Sequence, residues 1–478
     1  MSEHDVDTES ADPPRHLARV IGITMAAAVG GLLFGFDTAV INGAVDSIQA
    51  DFELSASVLG FTVAITLLGC AAGAWFAGGL ADRWGRKKVM IAAAFLFAIN
   101  SAGSAFAFSE WDLMAWRLVG GLAIGIASVI VPGYIAEIAP SKWRGGLASV
   151  QQLAITIGIF VALLSDASFA NAAGGAANEF WWGLSAWRWM LLVGVVPAVV
   201  YGVLALIIPE SPQFLIRANR DRDAARILSR VSGVRDTEGK IRQIRESFER
   251  EDRAGYRDLR GPALGLQPIL WVGMAIAALQ QLVGINAIFY YSTTLWKSVG
   301  FSESDSFTTS VITSIINVTM TFVAIFFVDR IGRRKLLLAG SIGMAVGLLA
   351  ATLAFLQAEG TGDDVALPGV WGPIALVGAN LFVVFFAATW GPVMWVTLGE
   401  MFPNRIRSIA LGVATMVNWV FNFIVTLTFP WVSANLGLWV MYAAFTVFAI
   451  VSFVFVRTRL PEFAGKDLED NAELASAR

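Results

Sequence analysis

The chain has 478 residues, 56% of them apolar and only 15% charged, with a formal net charge of -3. A soluble domain carries about 25% charged residues to cover its surface, so this composition and a mean hydropathy of +0.66 exclude an ordinary soluble protein and predict a polytopic helical membrane protein. A single cysteine (Cys70) excludes a disulfide scaffold and a thiolate metal site, and the slightly acidic balance excludes a typical nucleic-acid binder.

Residues 1–16 are acidic and polar, hold both histidines (His4 and His16), and are not expected to be a signal peptide. An apolar run of about 20 residues can cross a bilayer as a helix. Twelve such runs follow, at 18–41, 57–80, 89–108, 112–135, 146–166, 187–208, 268–293, 307–328, 336–357, 371–399, 408–430 and 435–457. Residues 210–262 differ: arginines and acids alternate with apolar residues at helical spacing, which predicts short amphipathic surface helices. The expected organisation is a tail (1–17), a six-helix half (18–208), a linker with short amphipathic helices (209–265), a second six-helix half (266–458) and a tail (459–478).

The loops after runs 2 and 8 are strongly basic, and Lys142, Arg144, Arg405 and Arg407 follow runs 4 and 10. The alternate loops hold one base, Lys297, and many acids, among them Asp46, Asp51, Asp166, Glu179 and Glu303. The positive-inside rule then predicts an inner (cell) membrane protein with both termini and the 210–262 segment in the cytoplasm.

Three motifs recur about 250 residues apart. Asp82-Arg83-x-Gly85-Arg86 returns as Asp329-Arg330-x-Gly332-Arg333. Glu137-x6-Arg144 returns as Glu400-x6-Arg407, and Pro209-Glu210 as Pro461-Glu462. Each copy follows the corresponding run of its own half. Two similar six-helix halves in the same orientation are the mark of transporters of the major facilitator type, with the substrate site between the halves at mid-membrane. Topology alone explains the basic members but not the acidic ones. Asp82, Arg83, Arg86, Glu137, Arg144, Glu210, Asp329, Arg330, Arg333, Glu400 and Arg407 are therefore expected to form a cytoplasmic gate, clamped while the outer side is open.

Charges inside spans are rare and mark function. Asp37 in run 1 and Arg117 in run 4 both fall roughly 6–8 Å below the outer surface, at 1.5 Å per residue. Equal depth and opposite sign predict an ion pair. A carboxylate whose cationic partner comes and goes can bind and release a proton; the plainer reading is a permanent salt bridge between runs 1 and 4.

Side-chain amides donate and accept without charge, as sugar hydroxyls do. Mid-span positions offer Gln151, Gln152, Gln280, Gln281, Asn286, Asn317, Asn418 and Asn422; Gln281, Asn286 and Tyr290 share a face of run 7, and Trp395 and Trp419 offer flat apolar faces. Any single amide could instead bridge two helices. Trp181, Trp182, Trp187 and Trp189 read as an interfacial belt. Without a nucleophile–base set, metal cluster or nucleotide loop, no enzyme activity, bound cofactor or metal is expected.

Gly30-Gly-Leu-Leu-Phe-Gly-Phe-Asp37, Asp82-Arg-Trp-Gly-Arg86, Tyr134-Ile-Ala-Glu137, Pro209-Glu-Ser-Pro212, Gln280-Gln-Leu-Val-Gly-Ile-Asn286, Asp329-Arg-Ile-Gly-Arg333 and Trp390-Gly-Pro-Val-Met-Trp395 together resemble the sugar porter family of the major facilitator superfamily. The likeness covers residues 18–463, with Pro461-Glu-Phe463 departing from the family's Pro-Glu-Thr. It implies sugar contacts at Gln152, Gln280, Gln281, Asn286, Asn317, Trp395 and Asn418. It implies proton symport through Asp37 and Arg117, because facilitative members have Asn at the first position. Ile159 and Phe289 stand where the family's bacterial xylose symporter has Gln and Leu, and a less polar wall suits a hexose. The expected function is import of a monosaccharide, D-glucose foremost, with a proton, by a monomer in the lipid bilayer. A facilitative uniporter, a symporter for xylose, galactose or myo-inositol, and a sugar sensor are the alternatives; the last usually needs a longer tail.

Overall fold

In a bilayer every backbone N–H and C=O must be satisfied within the chain, so an apolar run becomes a helix. The computed structural model describes residues 13–138, 144–231, 233–251, 256–297, 300–359, 366–402 and 406–461. Among them are twelve helices long and apolar enough to span a membrane. Spans 1 to 6 are Leu17–Asp51, Ala56–Trp84, Arg86–Ala105, Glu110–Ile138, Val150–Ala173 and Ala186–Ile207. Spans 7 to 12 are Pro268–Tyr290, Glu303–Val328, Arg333–Phe355, Trp371–Met401, Ile409–Leu436 and Leu438–Arg459. The all-α, twelve-span architecture expected from the sequence is the one found.

Most helices outrun their apolar cores, because helical hydrogen bonding continues until a cap or breaker stops it. Span 1 continues ten residues past its predicted end at 41, to Asp51. Span 2 begins at Ser55, whose side chain accepts from the Val58 N–H, and ends at Gly85, φ +91°. Gly332 takes φ +95° between spans 8 and 9. The glycine of each repeated Asp-Arg-x-Gly-Arg motif is thus the hinge that turns one helix into the next, in a region side chains rarely adopt.

Three features depart from the hydropathy reading. Span 7 is not one straight helix over 268–293. It breaks at Gly284, φ +86°, into Pro268–Leu282 and Ile285–Tyr290, followed by Ser292–Lys297. Span 10 contains a widened π turn at Phe386–Trp390. Asp166, placed by its charge in an outer loop, lies inside span 5 and is wholly buried. A short hairpin, Glu179–Trp181 against Leu184–Ser185, precedes span 6.

Close packing inside the first half rests on small residues. A Cβ at Gly69 or Gly73 would lie 2.4 or 2.3 Å from the carbonyl oxygens of Leu118 and Leu122, and one at Gly121 would lie 2.0 Å from Thr66 O. Spans 2 and 4 therefore meet backbone to backbone, as small-residue stripes allow in lipid. Between the halves, span 2 packs on span 11, span 5 on span 8, and span 1 on the broken end of span 7. Beyond span 6, helices Pro212–Arg217, Asp221–Arg230 and Thr237–Glu251 share a small core of Leu215, Ile216, Ala224, Leu228 and Ile241. Arg19 ties this unit to span 1 by donating to the Arg230 carbonyl at 2.5 Å.

Candidate functional site

Asp37 and Arg117 meet. Arg117 Nη1 lies 3.1 Å from Asp37 Oδ2, with the residues 2% and 5% exposed. Desolvating two charges is costly, and the pair holds only if further hydrogen bonds serve the remaining atoms. Span 3 supplies one: Asn100 Nδ2 donates to Asp37 Oδ1 at 2.9 Å, and Ser104 Oγ donates to Asn100 Oδ1 at 3.2 Å. The sequence reading passed over Asn100, although it stands in an apolar run. A cavity of about 10 Å³ adjoins the pair, lined by Asp37, Asn100, Ser101, Ser104, Arg117 and Gly194 among others.

In the second half the amides form one connected network. Asn286 Nδ2 donates to Gln281 Oε1 at 2.8 Å, and Gln281 Nε2 donates to Asn418 Oδ1 at 3.0 Å. Asn418 Nδ2 donates to Gln280 Oε1 at 2.8 Å, and Gln280 Nε2 reaches the Trp390 and Gly391 carbonyls at 3.2 and 3.3 Å. Span 10 exposes those carbonyls at its widened turn, where the regular i to i+4 ladder is interrupted. Likewise the break at Gly284 brings Asn286 to face Gln281. Four predicted amides are thereby brought together.

Among the described residues, no hydrogen bond joins the other sugar-site candidates to this network. Asn317, Ile159, Phe289 and Tyr290 are buried, Gln152 is half-buried, and Trp395 is exposed. The Tyr290 side chain meets Asn422 and Thr38. Trp419 packs on Phe34 of span 1 with ring centroids 5.5 Å apart, linking the halves. Among the described residues, the Trp419 Nε1 donor and the Gln151 Oε1 acceptor are buried without partners. Buried polar atoms of that kind call for a ligand or water.

The repeated charges form one cluster per half. Arg86 bonds Glu137 at 3.0 Å and Asp82 at 3.1 Å, and Arg217 of the linker reaches Asp82 at 2.9 Å. Glu210 Oε1 accepts the Arg86 and Lys87 backbone N–H groups at 3.0 and 3.2 Å, capping the start of span 3. Ser211 Oγ hydrogen-bonds Glu137. In the second half Arg333 forks onto Glu400 at 2.7 and 2.9 Å and donates to Val328 O. Arg407 donates to the Phe402 carbonyl at 3.3 Å. Arg83 and Arg330 are exposed, and the side chains of Arg144 and Asp329 lie outside the described residues. These ion pairs join helix ends within a half rather than between halves.

At the opposite, acidic end the halves bond to each other. Thr293 N and Oγ1 donate to Asn42 Oδ1 and O at 3.0 and 2.8 Å. Asp46 accepts from Thr294 Oγ1 at 2.6 Å and from Lys297 Nζ at 2.8 Å. Burial works to lower the Lys297 pKa, but Asp46 and Glu303 together outweigh it and the net shift is upward. Asn42 and Thr293 were not read from the sequence; a solitary base among acidic loops was the available signal for Lys297.

The family model "Sugar (and other) transporter" matches residues 23–475. A glucose transport protein of Synechocystis is 47% identical over 464 residues, which is 96% of this chain and 99% of that one. The glucose transporter GlcP of Staphylococcus epidermidis is 36% identical, over 94% and 95% of the two chains. The D-xylose-proton symporter of Escherichia coli is 33% identical, over 94% of each. Among solved structures, the proton:xylose symporter XylE bound to 6-bromo-6-deoxy-D-glucose superposes with a TM-score of 0.79 at 32% identity, covering 96% of this chain and 99% of that one. A family match across nearly the whole sequence, on twelve spans with the repeated charge motifs in register, makes this multi-pass membrane protein a member of the sugar porter family of the major facilitator superfamily.

Proposed function

We propose that the protein imports a monosaccharide, D-glucose foremost, together with a proton, by alternating access in the cell membrane, with its basic end and both termini in the cytoplasm. The observation that carries the coupling is the buried Asp37–Arg117 pair. A transporter that only equilibrates sugar needs no ionisable pair in its apolar layer, where each charge is expensive. The names of the similar proteins support the substrate: two are glucose transporters, and the xylose relative is a proton symporter.

Sugar entering from the acidic side meets the amides of Gln280, Gln281, Asn286 and Asn418, which exchange their mutual hydrogen bonds for bonds to hydroxyls. Gln152, Asn317 and Trp395 complete the pocket, with Tyr290 and Trp419 beside it and Ile159 and Phe289 as its apolar wall. A proton reaching Asp37 neutralises the carboxylate and frees Arg117, which loosens span 1 from span 4. The halves then rock about the site, and sugar and proton leave on the basic side. There the Arg86–Glu137 and Arg333–Glu400 clusters brace the helix ends of each half, with Asp82, Arg83, Glu210, Arg330 and Arg407 at the same end and Arg144 and Asp329 assigned to the gate by their repeated motifs alone. The protein works as a monomer.

The test is uptake of labelled glucose by cells expressing the protein, with unlabelled xylose, galactose, mannose and myo-inositol as competitors and a protonophore as control. Accumulation that the protonophore abolishes and glucose competes best supports the reading. Uptake indifferent to the protonophore points to a uniporter, and competition by xylose or inositol alone overturns the glucose assignment.

A further inference from the structure

The two oxygens of Asp37 are held differently. Oδ2 takes the Arg117 guanidinium at 3.1 Å, and Oδ1 takes the Asn100 amide at 2.9 Å. We propose that Asn100 is a positioning residue that dictates which oxygen of Asp37 receives the proton, so that protonation and the Arg117 ion pair exclude each other. The proposal rests on the proton-coupled reading above and adds a residue to it.

Asp37, when ionised, only accepts, so the amide must turn its NH2 toward it. That leaves Asn100 Oδ1 to accept from Ser104, as found at 3.2 Å. The amide is pinned as well as bonded. A Cβ at Gly120, three residues after Arg117 on span 4, would lie 2.5 Å from Asn100 Cγ, so the glycine makes room for the amide and then confines it. The adjoining cavity of about 10 Å³ is at the lower limit for one water. Bulk solvent therefore does not stand in for the amide at Oδ1.

A proton placed on Oδ1 would set O–H against N–H, two donors face to face. A proton on Oδ2 leaves the Asn100 bond intact and removes the acceptor of Arg117 Nη1. Asn100 has no proton of its own to give or take at physiological pH, so it steers without titrating. Arg117 Nε has no partner among the described residues, so Asp37 is the anchor the guanidinium loses. Among the described residues, Cys70 of span 2 and Tyr290 of span 7 are ionisable side chains within electrostatic reach of the pair. Span 6 contributes Leu191 and Gly194 to the pocket, neither of them ionisable.

The experiment compares Asn100→Ala, Ser104→Ala and Asp37→Asn in the full-length protein in proteoliposomes, reading glucose accumulation under an imposed pH gradient and glucose counterflow at several pH values. For Asn100→Ala the expected accumulation ratio falls at least tenfold, whereas counterflow, compared at the pH optimum of each protein, keeps a maximal rate of the same order as the parent's. Ser104→Ala, which frees the amide to turn, shifts in the same direction by less. The pH profile of counterflow moves in Asn100→Ala but is flat and identical in Asp37→Asn and in the variant that carries both Asp37→Asn and Asn100→Ala. Accumulation by Asn100→Ala within twofold of the parent overturns the proposal. So does a loss of counterflow that persists when Asp37 is already Asn, since that marks a packing role. If Asn100→Ala does not reach the membrane, Asn100→Ser is read by the same assays and the same limits. If Asp37→Asn itself accumulates glucose, the coupling reading fails; if it does not, while Asn100→Ala accumulates normally, only the present inference fails.

Discussion

Asp46 on span 1 and Lys297 beyond the break of span 7 are joined by an ion pair of 2.8 Å that crosses between the halves at the acidic end. Both side chains are about one-third exposed, so solvent screens the pair and its worth is held to about 0–1 kcal/mol. Lys297→Ala is expected to ease opening on that side by up to roughly fivefold in the equilibrium. Labelling rates of a cysteine placed at Thr293 report it. The Lys297 pKa is raised above its ordinary 10.5, so the lysine's contribution to the latch is complete below that value and is lost only as pH rises through the elevated one. Once normalised for the thiolate fraction of the reporter cysteine, labelling should therefore not vary through Lys297 between about pH 6 and 8, and a variation that Lys297→Ala abolishes would contradict this.

Gln281 is the hub of the amide network, bonded to Asn286 and Asn418. Truncating it strands buried partners, at about 1–3 kcal/mol. Gln281→Ala is thus expected to raise the KM for glucose roughly 5- to 150-fold with normal insertion. Uptake kinetics and tryptophan-quenching titrations measure it, and an unchanged KM would remove Gln281 from the sugar site.

The Arg86 cluster is expected to set rate rather than affinity. Arg86→Ala leaves Glu137, whose side chain is 11% exposed, without its cation. A loss of about 1.5–3 kcal/mol for a charge-assisted bond predicts a fall in maximal uptake of roughly tenfold or more. Sugar binding by calorimetry should stay within about twofold, since the cluster touches none of the amides. Equal loss of binding would refute the separation.

Ile159 and Phe289 are 7% and 2% exposed. One methylene in an apolar pocket discriminates by about 1–3 kcal/mol. Ile159→Gln with Phe289→Leu is expected to move the xylose-to-glucose ratio of kcat/KM up by roughly tenfold. No change would take these side chains out of the specificity wall.

Hydropathy and the sided distribution of Lys and Arg made the twelve spans legible, because both are summed over many residues. Local geometry was not. The break at Gly284 and the widened turn before Gly391 leave composition untouched, yet they set Asn286 beside Gln281 and bare the carbonyls that Gln280 bonds. Asp166 reads as a loop residue because a charge normally ends an apolar run; in the fold its Oδ2 accepts the Gly43 N–H at 3.2 Å inside the bundle. Asn100 looks like any interhelical amide until Asp37 is seen 2.9 Å away. Asn42 and Thr293 are 251 positions apart, so their pairing exists only in the folded chain.

The most direct measurement of the coupling is simultaneous proton and glucose flux in proteoliposomes carrying the parent protein or Asp37→Asn. The parent is expected to move protons with glucose and to concentrate it, whereas Asp37→Asn is expected to exchange labelled glucose without proton movement or accumulation. Glucose concentrated by Asp37→Asn, with protons still following, would contradict the assignment of Asp37 as the proton carrier.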